Sequence, residues 1–251
     1  MTYKYALVRK PGAKFSCCIS SHPQRNTISL TLAYKQHENY CRVLTDLGLE
    51  IIHLPQDDDY PDSCFVEDNA VIYNGKGFIT RMGVESRQGE EIAVERILSD
   101  YMETKRASHP ATIEGGDIIH VLDRLISGVT QRTNKEGIYQ MENWFGVKVD
   151  RIEDPNIIHL KSYVTYLGNN IMLTTKTYLN HPVLRNFLLL ITPDKESYAA
   201  NTLTIGDTVL LPNDYPRTQA MVREAGFEVI TLDISEFQKC EGALTCLSLL
   251  F

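Results

Sequence analysis

The strand and helix signals of this chain follow a rhythm that does not fit a doubly wound sheet. Short runs rich in Val, Ile and Tyr, mostly bounded by Gly, Asn, Asp or Pro, predict strands at residues 5–8, 50–54, 70–73, 77–79, 118–121, 124–129, 148–150, 163–167, 171–174, 208–211 and 228–232. Helical spacing of apolar residues appears over 29–47, with Gly48 as a stop, and over 87–104, 135–145 and 216–225. Several strands come in close pairs. Exposed turn residues at 73–77, 122–124 and 167–170 read as hairpins. The pattern is two close strands, a helix, then a strand, repeated. It predicts a hairpin-rich α/β fold, with a repeated ββαβ unit as its simplest explanation.

With 251 residues, 43% of them apolar, the chain is long enough to bury a sizeable core. No Pro/Gly/Ser-rich linker divides it, so residues 1–251 are expected to form a single domain. The net charge of −7 and the lack of a Lys/Arg cluster argue against a nucleic-acid partner. The first residues lack the apolar core of a signal peptide, and no apolar run approaches the roughly 20 residues that span a bilayer. A cytoplasmic chain without a membrane segment is expected, with its thiols reduced. The six cysteines at 17, 18, 41, 64, 240 and 246 contain no Cys-x-x-Cys pair, so no zinc knuckle or redox motif stands out. The adjacent Cys17 and Cys18 are poorly placed to bridge each other.

Four segments place polar groups beside apolar strands. Glu67-Asp68 follows Asp62 and precedes a buried-looking strand, as a solvated turn or as a carboxylate pair for a cation. Glu114-Gly115-Gly116-Asp117 is a hairpin corner, or a close approach of backbone to ligand, and is not a phosphate loop. His159, between apolar residues at a strand edge, is the best general acid/base candidate among seven histidines that lack metal-ligand spacing. Cys246 lies in a small-residue and apolar tail, where an inert thiol is the commoner outcome. Gly242 and Ala243 just before it would leave room for a substrate.

In this order, Phe-Val-Glu-Asp (65–68), Glu-Gly-Gly-Asp (114–117), His-Leu-Lys-Ser (159–162) and Leu-Thr-Cys-x-Ser (244–248) resemble the dimethylarginine dimethylaminohydrolases over essentially the whole chain. Those enzymes belong with the guanidino-group-modifying enzymes that include arginine deiminase and the amidinotransferases. The resemblance implies a five-bladed α/β propeller of pseudo-repeated ββαβ units around a polar channel. It implies hydrolysis of N-methylated arginine to citrulline and a methylated amine, with a small guanidino compound as partner and no metal or organic cofactor.

The resemblance also distributes roles. Cys246 is the nucleophile, His159 the acid and base, and Glu114 the group that orients His159. Asp68 and Glu114 hydrogen-bond the guanidinium, with Glu67 and Asp62 completing an acidic wall. Arg87 and Arg132 meet the substrate carboxylate. Residues 13–22 correspond to the lid over the site, and here the local sequence departs from the family pattern, which leaves substrate choice open. An arginine deiminase-type hydrolase releasing ammonia and a non-catalytic guanidino-compound sensor are the rival readings. The oligomeric state is open, a homodimer included.

Overall fold

The computed structural model describes residues 3–251. Among these described residues, fifteen strands form five sheets of three. β1 (Tyr5–Arg9) and β2 (Glu50–Leu54) run parallel, joined by helix α1 (Leu30–Asp46). Ser29 starts that helix by accepting the amide N–H of Leu32 (3.3 Å), and Gly48 at φ +92° lets the chain turn out of it. The next sheet holds β3 (Ala70–Tyr73), β4 (Lys76–Ile79) and β5 (Glu103–Arg106), with α2 (Glu91–Leu98) before β5. β6 (Ile118–Val121), β7 (Arg124–Val129), α3 (Lys135–Phe145) and β8 (Val149–Glu153) repeat the arrangement. So do β9 (Val164–Gly168), β10 (Ile171–Thr174) and β11 (Leu188–Ile191), with two short 3-10 turns in place of the helix. β12 (Leu203–Ile205), β13 (Thr208–Pro212), α4 (Pro216–Glu224) and β14 (Glu228–Leu232) follow. Finally β15 (Ser248–Leu250) pairs antiparallel with β1 and completes the first sheet.

Each sheet is thus one antiparallel pair plus one parallel strand, the ββαβ unit expected from the sequence, and the five make the blades of a propeller. The first blade is stitched from both ends of the chain. Apolar burial falls between neighbouring blades and their helices. Val71 and Phe78 meet Ile118, Leu125 and Ile138, for example, and Leu173 meets Val209 and Val222. This leaves the axis to polar side chains. No helix among the described residues is long and apolar enough to cross a membrane.

The predicted helix over 87–104 is too long: α2 stops at Leu98, and β5 takes residues 103–106. Glu-Thr-Lys-Arg on a mostly exposed edge carries no strand pattern, because an edge strand favours charge over alternation.

Five 3-10 turns line the axis, each just ahead of the first strand of a blade: Val66–Asn69, Gly115–Asp117, Leu160–Ser162, Asp194–Ala200 and Thr245–Leu247. Every turn is bonded to the next. Asp68 accepts the Gly116 amide (3.0 Å), and Asp117 accepts that of Leu160 (2.8 Å). Asn201 donates to the Lys161 carbonyl (3.1 Å) and to Thr245 Oγ1 (3.1 Å), while its Oδ1 accepts the Thr245 amide (3.1 Å). The Thr245 hydroxyl donates to Glu67 (2.6 Å) and closes the ring. Gly115 and Gly116 are required by this crowding: a Cβ would stand 2.0 Å from the Glu67 carbonyl at the first and 2.7 Å from His159 Nδ1 at the second. Asn201→Ala leaves several buried partners unsatisfied, so a loss of about 3 kcal/mol in urea-unfolding stability is expected; an unchanged midpoint would show that the ring does not depend on this link.

Candidate active site

One mouth of the axis opens into a cavity of about 610 Å³ whose walls include Asp62, Asp68, Arg87, Arg132, His159 and Cys246. Cys246 is partly buried in the last axial turn, where its amide donates to the Ala243 carbonyl (3.2 Å). Burial pushes its thiol well up, and the nearby Glu67 and Asp68 carboxylates push it further, so the sulfur rests as a neutral thiol. Gly242 and Ala243 line this cavity beside the thiol, and Gly242 is also kept small by packing: a Cβ there would lie 2.2 Å from the Phe65 ring.

His159 opens the third axial turn. Its Nε2 lies 2.7 Å from Glu114 Oε2 and 3.6 Å from Asp68 Oδ1. Burial opposes a charge on this imidazole, but Asp68 and Glu114 outweigh it and raise it to about 9. The same contact holds Glu114 below its usual range. Asp68 is held down at about 2: burial opposes its charge, and His159, Arg87 and the Gly116 amide overcome it. The site therefore pairs a neutral thiol with a protonated imidazole. The ligand atoms of Asp68, Glu114 and His159 lie within 4.8 Å of one another, as in a three-donor metal set. A metal needs a neutral imidazole nitrogen, whereas this one is committed as a donor to Glu114.

Two candidates stand apart from the cavity. Glu114 is fully buried behind His159, and also accepts the Gly83 amide (2.8 Å) and an Arg132 N–H (3.4 Å). It does not line the cavity, so its place fits orienting His159 better than touching a guanidinium. Glu67 does not belong to the acidic wall either. Lys161 (2.5 Å) and Thr245 hold it on the far side of the ring, beside a separate cavity of about 140 Å³. Adjacent residues on a 3-10 turn point to different sides, which their adjacency in sequence does not reveal.

Arg87 is 4% exposed and already engaged. Its Nε and Nη2 donate to Glu90 (3.0 and 2.8 Å), and Nη1 donates to Asp68 (2.8 Å). Nη1 also lies 3.8 Å from Glu114 Oε2, so this guanidinium is ringed by three carboxylates at the cavity wall. Asp62 accepts the Ile19 amide (3.2 Å) and is raised by burial, against Arg87.

Sequence reading missed three features. Glu90, 1% exposed, gives no motif signal; only its spacing three residues from Arg87 hints at an ion pair. Asn201-Thr202 stands out in the sequence as a further point of similarity to the family, but the role of Asn201 as the cap and link of the fourth axial turn does not. Lastly, the expectation of uniformly reduced thiols fails at Cys18 and Cys240, which form a disulfide across 222 residues and leave 17, 41, 64 and 246 free. Such a long-range pair has no local signature.

A thiol and an imidazolium sharing a carboxylate-lined cavity on a propeller axis are the equipment of a cysteine-dependent hydrolase of cationic amidines. The model of the eukaryotic N,N dimethylarginine dimethylhydrolases matches residues 17–190. The N(G),N(G)-dimethylarginine dimethylaminohydrolase of Pseudomonas aeruginosa is 34% identical, covering 99% of this chain and 100% of that one. Its namesake from Streptomyces coelicolor is 32% identical over 99% of this chain and 97% of its own. A P. aeruginosa structure of this kind, a cysteine-to-serine mutant complexed with citrulline, superposes with a TM-score of 0.96 at 32% identity over the full length of both chains. The chain belongs to the dimethylarginine dimethylaminohydrolase family, whose fold and cysteine dependence it shares.

The raised His159 makes two predictions. Its imidazole should titrate near pH 9 by NMR, and Glu114→Gln should bring that value down by a unit or more. Because the folded value exceeds the unfolded 6.5, the pairing adds stability that is complete below about 6.5 and lost as pH climbs through 9. The urea midpoint should fall over that window, and fall less in His159→Gln. Titration near 6.5 in the native protein would overturn the assignment.

Proposed function

We propose that this chain hydrolyses Nω-methylated arginine, asymmetric dimethylarginine foremost, to citrulline and the methylated amine through a covalent intermediate on Cys246. The observation that carries this is the pairing of a suppressed thiol with a protonated imidazole in a cavity walled by Asp68, Asp62, Arg87 and Arg132. Residues 1–251 act as one catalytic domain. Support from relatives lies in the P. aeruginosa complex with citrulline and in a histidine-to-glycine dimethylarginine dimethylaminohydrolase that forms an adduct with S-methyl-L-thiocitrulline.

A guanidinium carbon is a poor electrophile, so the nucleophile must be a thiolate. The substrate itself makes it one. A cation about 4 Å from the sulfur is worth about 4 kcal/mol at an effective dielectric near 20, about three pKa units. The thiol proton leaves to solvent as the guanidinium settles against Asp68. The thiolate then adds to the guanidinium carbon, and His159 gives its proton to the departing dimethylamine nitrogen, leaving a cationic thiouronium on Cys246. Neutral His159 next takes a proton from water as its oxygen adds to the same carbon. Collapse expels the sulfur as thiolate, which takes up the hydroxyl proton to give citrulline and the resting thiol, with His159 already reprotonated. Glu114 holds the imidazole throughout. No step calls for a metal or organic cofactor.

At the other end of the substrate, Arg132 and Arg87, which both line the cavity, receive the α-carboxylate, and Asp62 receives the α-ammonium. Substrates lacking the carboxylate are disfavoured accordingly. The test is to incubate the protein with arginine, monomethylarginine, asymmetric dimethylarginine and agmatine, and to measure ureido product and amine. Methylarginines should turn over, agmatine should not, and Cys246→Ser should lose at least about 1000-fold in rate. Arg132→Ala should raise KM about tenfold with a smaller change in kcat. Ammonia from arginine in preference to methylamines would favour the deiminase reading; no product from any of the four would sink the hydrolase.

A further inference from the structure

Cys18 and Cys240 are 1% and 3% exposed, and their disulfide joins the two rims of the cavity. On one side, Cys18 leads into Ile19, Ser21 and His22, which line the mouth. On the other, Cys240 leads through Glu241, Gly242 and Ala243, also lining residues, to Cys246. Phe15, Phe65 and Phe237 pack together beside it, with ring centroids 5.3 to 6.3 Å apart. The lid beyond Cys18 has no strand or α-helix; its next regular element is the 3-10 turn Arg25–Thr27. Its non-covalent ties gather just past the disulfide. The Ser20 hydroxyl donates to the Lys239 carbonyl (2.7 Å), the Ser21 hydroxyl to Glu241 (2.5 Å), and the Ile19 amide to Asp62 (3.2 Å).

We propose that Cys18 and Cys240 are positioning residues for the reaction: their disulfide clasps residues 19–22 against residues 239–242 and fixes the cavity wall beside Asp62. The inference rests on the methylarginine reading above for what fills that wall. Ser21 and Glu241 are exposed, so their two hydrogen bonds contribute little in water, as does the exposed bond from Lys239 Nζ to the Thr27 carbonyl, and the Ser20 and Ile19 ties are ordinary hydrogen bonds of about 1 kcal/mol net each. The disulfide raises the effective concentration at which those weak ties re-form. A dithiol reductant delivers two electrons and two protons to the bond, giving two thiols and its own cyclic disulfide. The lid then spends less time closed, and apparent substrate affinity falls with the closed fraction. The clasp acts before the chemical step, so KM moves and kcat does not.

Three forms test this: protein purified without reductant, the same protein reduced with dithiothreitol and freed of it under nitrogen, and the double variant C18S/C240S. Alkylation of the unreduced, denatured protein should label four of the six cysteines. Amides of residues 19–22 should exchange hydrogen about tenfold faster in the reduced and double-variant forms, with KM for asymmetric dimethylarginine about tenfold higher and kcat within about twofold. The double variant should ignore reductant, and Cys17→Ser should behave as the wild type. Labelling of all six cysteines without reductant, or the same exchange and KM in all three forms, would overturn the clasp. If no form turns over methylarginine, the functional reading fails on its own, and hydrogen exchange without substrate still decides the clasp.

Discussion

The closed ring of hydrogen bonds among the five axial turns is the constraint on which the rest of this protein depends. Each blade is welded to its neighbours by apolar side chains, and none of those can enter the axis without displacing a polar partner. Asp68, Asp117, Asn201 and Thr245 instead pass the link from turn to turn. Buried polar groups persist only when satisfied, so the ring holds its members in one arrangement. His159 and Cys246 ride on two of those turns. Their relative position is therefore set by the architecture and not by a flexible loop.

The charges at the axis divide along the same ring. Glu67 and Lys161 neutralise each other on one side, while Asp68, Glu114, Arg87 and His159 form an interlocked group on the other. In that group every buried charge has an opposite partner, which keeps the cost of burial bearable. Burial and the Glu67 and Asp68 carboxylates outweigh Lys161 and the Ala243 hydrogen bond at Cys246, which stays protonated.

The sequence made the repeat legible because tight hairpins leave Gly, Asn and Asp at fixed intervals, and those residues have local conformational reasons to be there. Four of the five axial turns were visible as motifs. The remaining one, Asp194–Ala200, showed only in the Asn201-Thr202 pair that follows it, because its polar contribution comes from a single amide in an otherwise ordinary segment. Strand β5 was hidden by its exposed charges. The direction in which Glu67 points was unreadable, since only the turn geometry separates it from Asp68. The Cys18–Cys240 pair needed the three-dimensional closure of the fold, as any contact across 222 residues does.

That first blade borrows one strand from the far end of the chain. β1 and β2 can meet early, but their sheet gains its third member only when β15 arrives, and Cys246 sits in the turn immediately before it. A nascent chain emerging from a ribosome would carry its acid, its carboxylates and its arginines into water well before it carried the sulfur. Blade and nucleophile share one contact: the turn that carries Cys246 is anchored where β15 pairs with β1.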